Sequence, residues 1–499
     1  MGVERRVLVV GGGLAGITAA LDCAAAGARV TLVEVRRRLG GAAYSFTREG
    51  LEMDNGQHVF LRCCEAYRAL LRRLGSEHLV HVQPRLEIPV LKPGAPPVCL
   101  RRSSLPAPLH LAGALARYPH LSPAQRLGAA RAAAALMLTR GAPRGGGEDQ
   151  AREPTFGEWL ARRGQGPEAL AALWDLIALP TLNLPAAEAS LSLAAFVFQN
   201  GLLSRADAGD IGFHSATLEQ TIGLPAERAL AQAGVEVRLG WRAETLRPLG
   251  DGVEVLGRGR RSDGTEESLA SQATILAVPH TRAATLLDPL LGDLAAGLRR
   301  LGHSPIVNLH VVFDRQVCEH PFAAGVGTPV QYLFDRTAAG GAPPGSQYLA
   351  ISLSGAEREM RMSVEELRER YVPALRELLP RAREATLELF LATREHAATF
   401  RAAPGVGSLR PGPHTRLPGL MLAGAWTDTG WPATLEGAVL SGHAAARAAL
   451  AQLGAAPIDD PARAPGASAT GAQAATGAQA GPGAQAATGA QAATGAQAS

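Results

Sequence analysis

The stretch Val7-Leu8-Val9-Val10-Gly11-Gly12-Gly13-Leu14-Ala15-Gly16 constrains this chain more than any other, because it encodes a strand, a turn and a helix start in immediate succession. The apolar run reads as a buried strand, and the residues from Leu14 to about Ala26 as a helix that Gly27 ends. Gly11 permits the tight turn out of the strand. Gly13 lets the backbone approach a pyrophosphate, and Gly16 lets the helix pack closely. The helix start, at Leu14 and Ala15, points free N–H groups and a partly positive dipole end at phosphates. Arg29-Val30-Thr31-Leu32-Val33 forms the next strand, and Glu34 at its tip can accept both ribose hydroxyls of an adenosine. A carboxylate there repels a 2′-phosphate, which disfavours NADP. In a chain with 57 glycines a lone GxGxxG says little, but here the whole βαβ unit is present with its acid in register.

The residues after Glu34 separate NAD from FAD. Val35-Arg36-Arg37-Arg38-Leu39-Gly40-Gly41 runs into a second glycine turn, which a simple NAD domain does not need and a long flavin dinucleotide does. This entry pattern, GGGxxG…E…R…LGG, resembles that of the flavin amine oxidase and phytoene desaturase superfamily. The arginine usual after the second glycine pair is replaced by Ala42, which leaves Arg36 or Arg38 to supply that pyrophosphate contact.

Two further motifs sharpen the resemblance. Asp54-Asn55-Gly56-Gln57-His58-Val59-Phe60-Leu61-Arg62-Cys63-Cys64 resembles the hydroxysqualene dehydroxylases, as does the closing motif from Leu420 to Val439. That closing motif reads as a strand ending near Gly424, a loop, and a helix starting near Thr434. Its small residues Gly437, Ala438 and Ser441 let it approach a flat ring, and its dipole stabilises negative charge on a reduced flavin. The resemblance implies FAD as cofactor, with Gly11, Gly13, Leu14, Ala15, Gly16, Glu34, Val35, Arg36, Gly40, Gly41, Gly424, Thr434, Gly437 and Ala438 as its contacts. It also implies Val237 as the residue whose backbone meets the adenine.

The expected fold is α/β: a Rossmann-type FAD-binding domain, discontinuous in sequence, with an inserted α+β substrate domain. The FAD-binding pieces are residues 1–75, 223–287 and 415–453, where Val235 to Leu239, Val253 to Val255 and Ala273 to Val278 read as strands. Residues 76–222 and 288–414 form the substrate domain. The tail from 456 to 499 repeats ATGAQA-type hexads without bulky side chains, and reads as a disordered appendage.

Composition excludes several classes. A net charge of +4 on 499 residues gives no reason to invoke nucleic acid. Five cysteines without a CxxC pair or His partner at ligand spacing argue against a metal site and for a reducing compartment, hence a cytoplasmic location. No secretory signal and no transmembrane run is read. Between Glu87 and Glu148 there is no acidic residue, while Lys92, Arg101, Arg102, Arg117, Arg126, Arg131, Arg140 and Arg144 alternate with apolar pieces. Two readings stand side by side: a face resting on anionic lipid at the inner membrane surface, or a helical subdomain whose arginines face water.

The resemblance implies a long apolar isoprenoid substrate, hydroxysqualene, whose hydroxyl leaves as water and is replaced by hydride. The candidate proton donors are His58, Asp54 and Asp428. His58 is favoured by its intrinsic pKa, while Asp54 is also read as a turn tie and Asp428 as a ribityl contact. Phe196, Phe198 and Trp426 are candidate tunnel walls. An isoprenoid desaturase of the phytoene type, an amine oxidase and a prenyl-binding escort protein are the alternatives. The electron donor is not legible, because no second nucleotide fingerprint is present.

Overall fold

Alternate residues of the first strand face opposite layers, and that alternation organises the nucleotide-binding half. The computed structural model describes residues 4–139, 153–259 and 265–455. The repeat tail, Arg140, Arg144 and Glu148 therefore lie outside the described residues. Arg6–Val10 pairs in parallel with Arg29–Glu34 on one side and Ala273–Leu276 on the other. Glu236–Leu239 and Leu420–Leu422 complete the five-stranded parallel sheet at its edges. Val7, Val9 and Leu32 pack with the helices Leu14–Ala25 and Leu435–Gln452. Leu8, Val10 and Val33 belong instead to the core that includes Trp241, Val253 and Val255, from the antiparallel strands Trp241–Leu249 and Gly252–Gly259. A period of two places the apolar set on both faces, as a sheet covered on each side requires.

The second half is built on a seven-stranded mixed sheet, in which Ser304–Phe313 pairs antiparallel with Gln347–Ser354 and with the edge strand Leu387–Thr399. Val307, Leu309 and Val311 pack in one apolar cluster with Leu367, Tyr371 and Leu375 of the helix Val364–Leu378. Ile306, Asn308, Ser352 and Ser354, on the opposite face, line a cavity. Helices Asp175–Leu182 and Leu191–Phe198 contribute the other side of that cavity. Among the described residues no helix is long and apolar enough to cross a membrane, and no group of three or more His, Cys, Asp or Glu could hold a metal ion.

Candidate active site

The glycine turn is built for close approach. A Cβ on Gly16 would lie 1.9 Å from the Gly11 carbonyl oxygen, so no larger residue fits where helix meets turn. Gly13 differs: a Cβ there meets nothing nearer than Gly41 Cα at 3.7 Å, and the residue lines the cavity. Its missing side chain leaves a cradle a phosphate can enter. Gly40 bridges to Gly13 and donates its N–H to the Gly12 carbonyl at 2.9 Å, which stacks the second glycine turn on the first. The Glu34 carboxylate accepts from the N–H groups of Gly12 (2.7 Å) and Arg36 (2.8 Å). Two bonds leave acceptor capacity on a group with about four lone-pair sites, as ribose hydroxyls need. Val237 lies on the edge strand next to Leu32, and Val35 and Arg36 are exposed beyond Glu34.

Arg38 stands where the sequence left a pyrophosphate partner open. Its guanidinium stacks 3.4 Å from the Tyr44 ring centroid and donates to the Gly41 carbonyl at 3.1 Å. Its Nη2 is buried with no hydrogen-bond partner among the described residues. A buried cationic N–H without an acceptor is costly, and an anionic phosphate would satisfy it.

The closing helix supplies the other end of the site. Thr434 caps Leu435–Gln452 by accepting from the Gly437 N–H at 3.1 Å, and Gly424 donates to Ser441 Oγ at 2.8 Å. Thr434, Leu435 and Ala438 line the cavity. Glu436, which sequence reasoning passed over, reaches across to a different helix. Its two carboxylate oxygens accept from the N–H groups of Ala66 (3.0 Å) and Tyr67 (2.7 Å) in the first turn of Glu65–Leu74. Burial pushes its carboxyl up to about 7, against those two bonds, which hold it down. An acid in a helix's first turn was a visible signal, but nothing local pointed to a partner so far along the chain.

One cavity of about 410 Å³ runs from Gly13 and Gly40 past Gln57 and His58 to an apolar end walled by residues including Leu176, Ile177, Phe196, Phe322 and Tyr332. Phe196 meets Trp431 edge to face at 5.2 Å. Two sequence expectations need correction. Phe198 packs in the core against Phe156 and Trp174, and Trp426 is buried with its indole N–H on the Val278 carbonyl; neither lines the channel. Trp431, three residues from a cavity-lining helix cap, takes the role given to Trp426.

The three candidate acids separate clearly. Asp54 is buried: Oδ1 accepts from Ser45 Oγ (2.7 Å) and the Leu218 N–H (2.9 Å), and Oδ2 pairs with Arg336 at 2.9 Å. Arg336 also donates to the carbonyls of His214 and Ala216, so Asp54 ties three segments together rather than offering a proton. Asp428 is exposed, accepts from the Gly430 N–H, and is absent from the cavity wall. The backbone carries Ala425, three residues earlier, to the cavity but turns Asp428 outward. His58 lines the cavity. Burial pushes its imidazole below the usual value, while Asp54 and a hydrogen bond to the Ala42 backbone pull it up.

A glycine cradle with two helix N-termini opening on one apolar channel defines a dinucleotide-binding flavoprotein oxidoreductase. The pattern described as flavin containing amine oxidoreductase matches residues 14–450. The chain belongs to that family, and FAD is its cofactor. It is 30% identical over 452 residues to hydroxysqualene dehydroxylase of Rhodopseudomonas palustris, covering 90% of this chain and 99% of that protein. It is 22% identical to zeta-carotene desaturase of Synechocystis, over 89% of this chain and 97% of that one. The fold matches cyclohexylamine oxidase of Brevibacterium oxydans with a TM-score of 0.68 at 18% identity, over 91% of this chain and all (100%) of that one.

Proposed function

We propose that this protein removes the hydroxyl of hydroxysqualene reductively to give squalene. The observation that carries the reading is the end-to-end similarity to hydroxysqualene dehydroxylase. The apolar channel continuing from the nucleotide cradle supports it, since a thirty-carbon substrate needs such a wall. FAD, when bound and reduced, supplies the electron pair as hydride. Gly13, Leu14, Glu34, Arg38 and Val237 would hold its dinucleotide part, and Thr434 to Ala438 its ring system.

The protein's own residues supply the rest. Protonated His58 gives its proton to the substrate hydroxyl, the C–O bond breaks, and water leaves with the bonding pair. The allylic cation then accepts hydride, so each turnover consumes one proton and one hydride and yields one water. Phe196, Trp431 and Tyr332 line the channel, where aromatic rings stabilise positive charge and exclude water that would recapture the cation. Residues 76–222 and 288–414 form the substrate side of this division of labour.

Membrane contact belongs to the same proposal. Five of the ten large apolar side chains exposed among the described residues fall between Leu105 and Leu138, and Leu138 is 85% exposed. The charge there is weaker than the sequence suggests, because Arg101 pairs with Glu87 and Arg102 with Asp210. The apolar side chains therefore provide most of the attraction to a lipid surface.

Anaerobic incubation of chemically reduced enzyme with hydroxysqualene tests the reading without knowledge of the natural electron donor. Squalene is the expected product. If no squalene forms, and the oxidised enzyme instead dehydrogenates an isoprenoid hydrocarbon, the desaturase reading replaces this one.

A further inference from the structure

A reaction that takes in a proton and releases water sets a transport problem inside an apolar channel. A channel occupied by a long hydrocarbon conducts neither, and water that lingers can recapture the cation. The fold contains a second cavity that meets this need.

It encloses about 590 Å³, far more than the roughly 30 Å³ that one liquid water occupies. Gln57, His58, Val59 and Phe334 line both cavities and so form the partition between them. The wall becomes more polar across that partition. The second cavity is walled by His214, Glu319, Asp335, Arg336 and Ser346, and its mouth is the largely exposed loop 341–346. Two buried polar atoms on its wall have no hydrogen-bond partner among the described residues: Nδ1 of His214, a residue only 3% exposed, and Nε2 of Gln57. Nε2 of His214 lies 3.1 Å from Tyr67 Oη. Unpaired groups of this kind, on a roomy wall where polar side chains stand among apolar ones, are where ordered water binds.

We propose that the second cavity is an aqueous port, through which protons reach His58 and product water leaves, while the isoprenoid uses the apolar channel. The inference rests on the dehydroxylase reading. In each cycle His58 loses its proton to the departing hydroxyl and regains one from water in the port, so the balance is one proton in and one water out. The groups that face His58 suit this traffic. Asp54 raises its affinity for a proton, and Asp54, His214 and Arg336 share the port wall with it. His214 is held neutral by burial, then by His58 and Arg336, its imidazole lowered to about 3. It can therefore orient water without competing for the charge. Glu319 and Asp335 stand on the port wall, and Glu395 and Glu436 on the channel wall.

Ala339 is half-buried on the short helix Thr337–Gly340 and lines the port but not the channel, so Ala339→Trp narrows the port from its own side. Squalene formation by the unaltered holoenzyme, measured in parallel, tests the underlying reading. With that established, the narrowed variant should show kcat about tenfold lower, KM for hydroxysqualene unchanged, and a larger solvent deuterium isotope effect. Ser346→Phe at the mouth provides the same test should Ala339→Trp fail to fold. A folded, narrowed variant with wild-type kcat and isotope effect overturns the port and leaves the dehydroxylase reading intact. A raised KM with unchanged kcat also overturns it, because the cavity would then carry substrate. Absence of squalene from the unaltered enzyme removes both.

Discussion

Replacing Asp54 by Asn distinguishes a structural carboxylate from a catalytic one. The substitution keeps the shape and removes the charge, but an amide has one oxygen where the carboxylate uses two. Ser45, Leu218 and Arg336 all donate to Asp54, so the new NH2 must face at least one of those donors. The Arg336 cation stays buried, with only 9% of its side chain exposed, and loses its counter-ion. Removing one partner of a buried ion pair costs about 3–5 kcal/mol. Unfolding entropy near the midpoint is about 2.1 cal/mol/K per residue, or roughly 1 kcal/mol/K for the unit Met1–Asp459. The melting temperature of the holoprotein should therefore fall by about 3–5 °C. Scanning calorimetry measures it, and the double variant Asp54→Asn/Arg336→Met should recover most of the loss, since removing both charges together is close to neutral. An unchanged midpoint combined with a hundredfold fall in kcat would refute the reasoning and make Asp54 the acid.

Glu436 makes stability depend on pH. Its carboxyl is raised from 4.5 to about 7 in the folded state, so the folded protein binds the proton more tightly than the unfolded chain. The contribution of Glu436 to stability is full below about pH 4.5 and is lost, by about 3 kcal/mol in all, as pH rises to about 7. The difference in urea-unfolding stability between the wild type and Glu436→Gln, followed over several pH values, should show that loss. Gly16→Ala drives a methyl group into the Gly11 carbonyl, so purified protein should lose its flavin absorbance near the visible maximum; a fully yellow variant would contradict the cradle. In the wild type kcat should rise as pH falls through the lowered imidazole pKa, and His58→Gln should abolish that rise with thermal stability little changed. Leu105→Asp, Leu109→Asp and Leu138→Asp together should release the protein from anionic liposomes in a flotation assay, whereas unchanged flotation would place the contact elsewhere.

The chain reads well where its physics is local. The first strand, turn and helix, the Glu34 acid and the Thr434 cap each depend on residues within a few turns of one another. Backbone sterics, dipole and period-two burial act over that range. The edge strand at Val237 was legible for the same reason, although its neighbour Leu32 is far away in sequence. The candidate acids were harder, because a motif places residues side by side along the chain without saying where each side chain points. Asp428 and Ala425 share a motif, yet only Ala425 reaches the cavity. Phe198 and Phe196 share a helix, and its 100° step per residue sends one to the core and the other to the channel.

Sequence alone was enough to place a dinucleotide cradle, because glycine spacing and a strand-tip acid are local requirements, and the second glycine turn with the family resemblance made that dinucleotide a flavin. Tertiary structure decided which ionisable groups are free to work. Asp54 meets Arg336 and Glu436 meets Ala66 and Tyr67 only after distant segments close on each other. Burial and partnership set the availability of a proton, and both belong to the packed molecule rather than to any stretch of the chain.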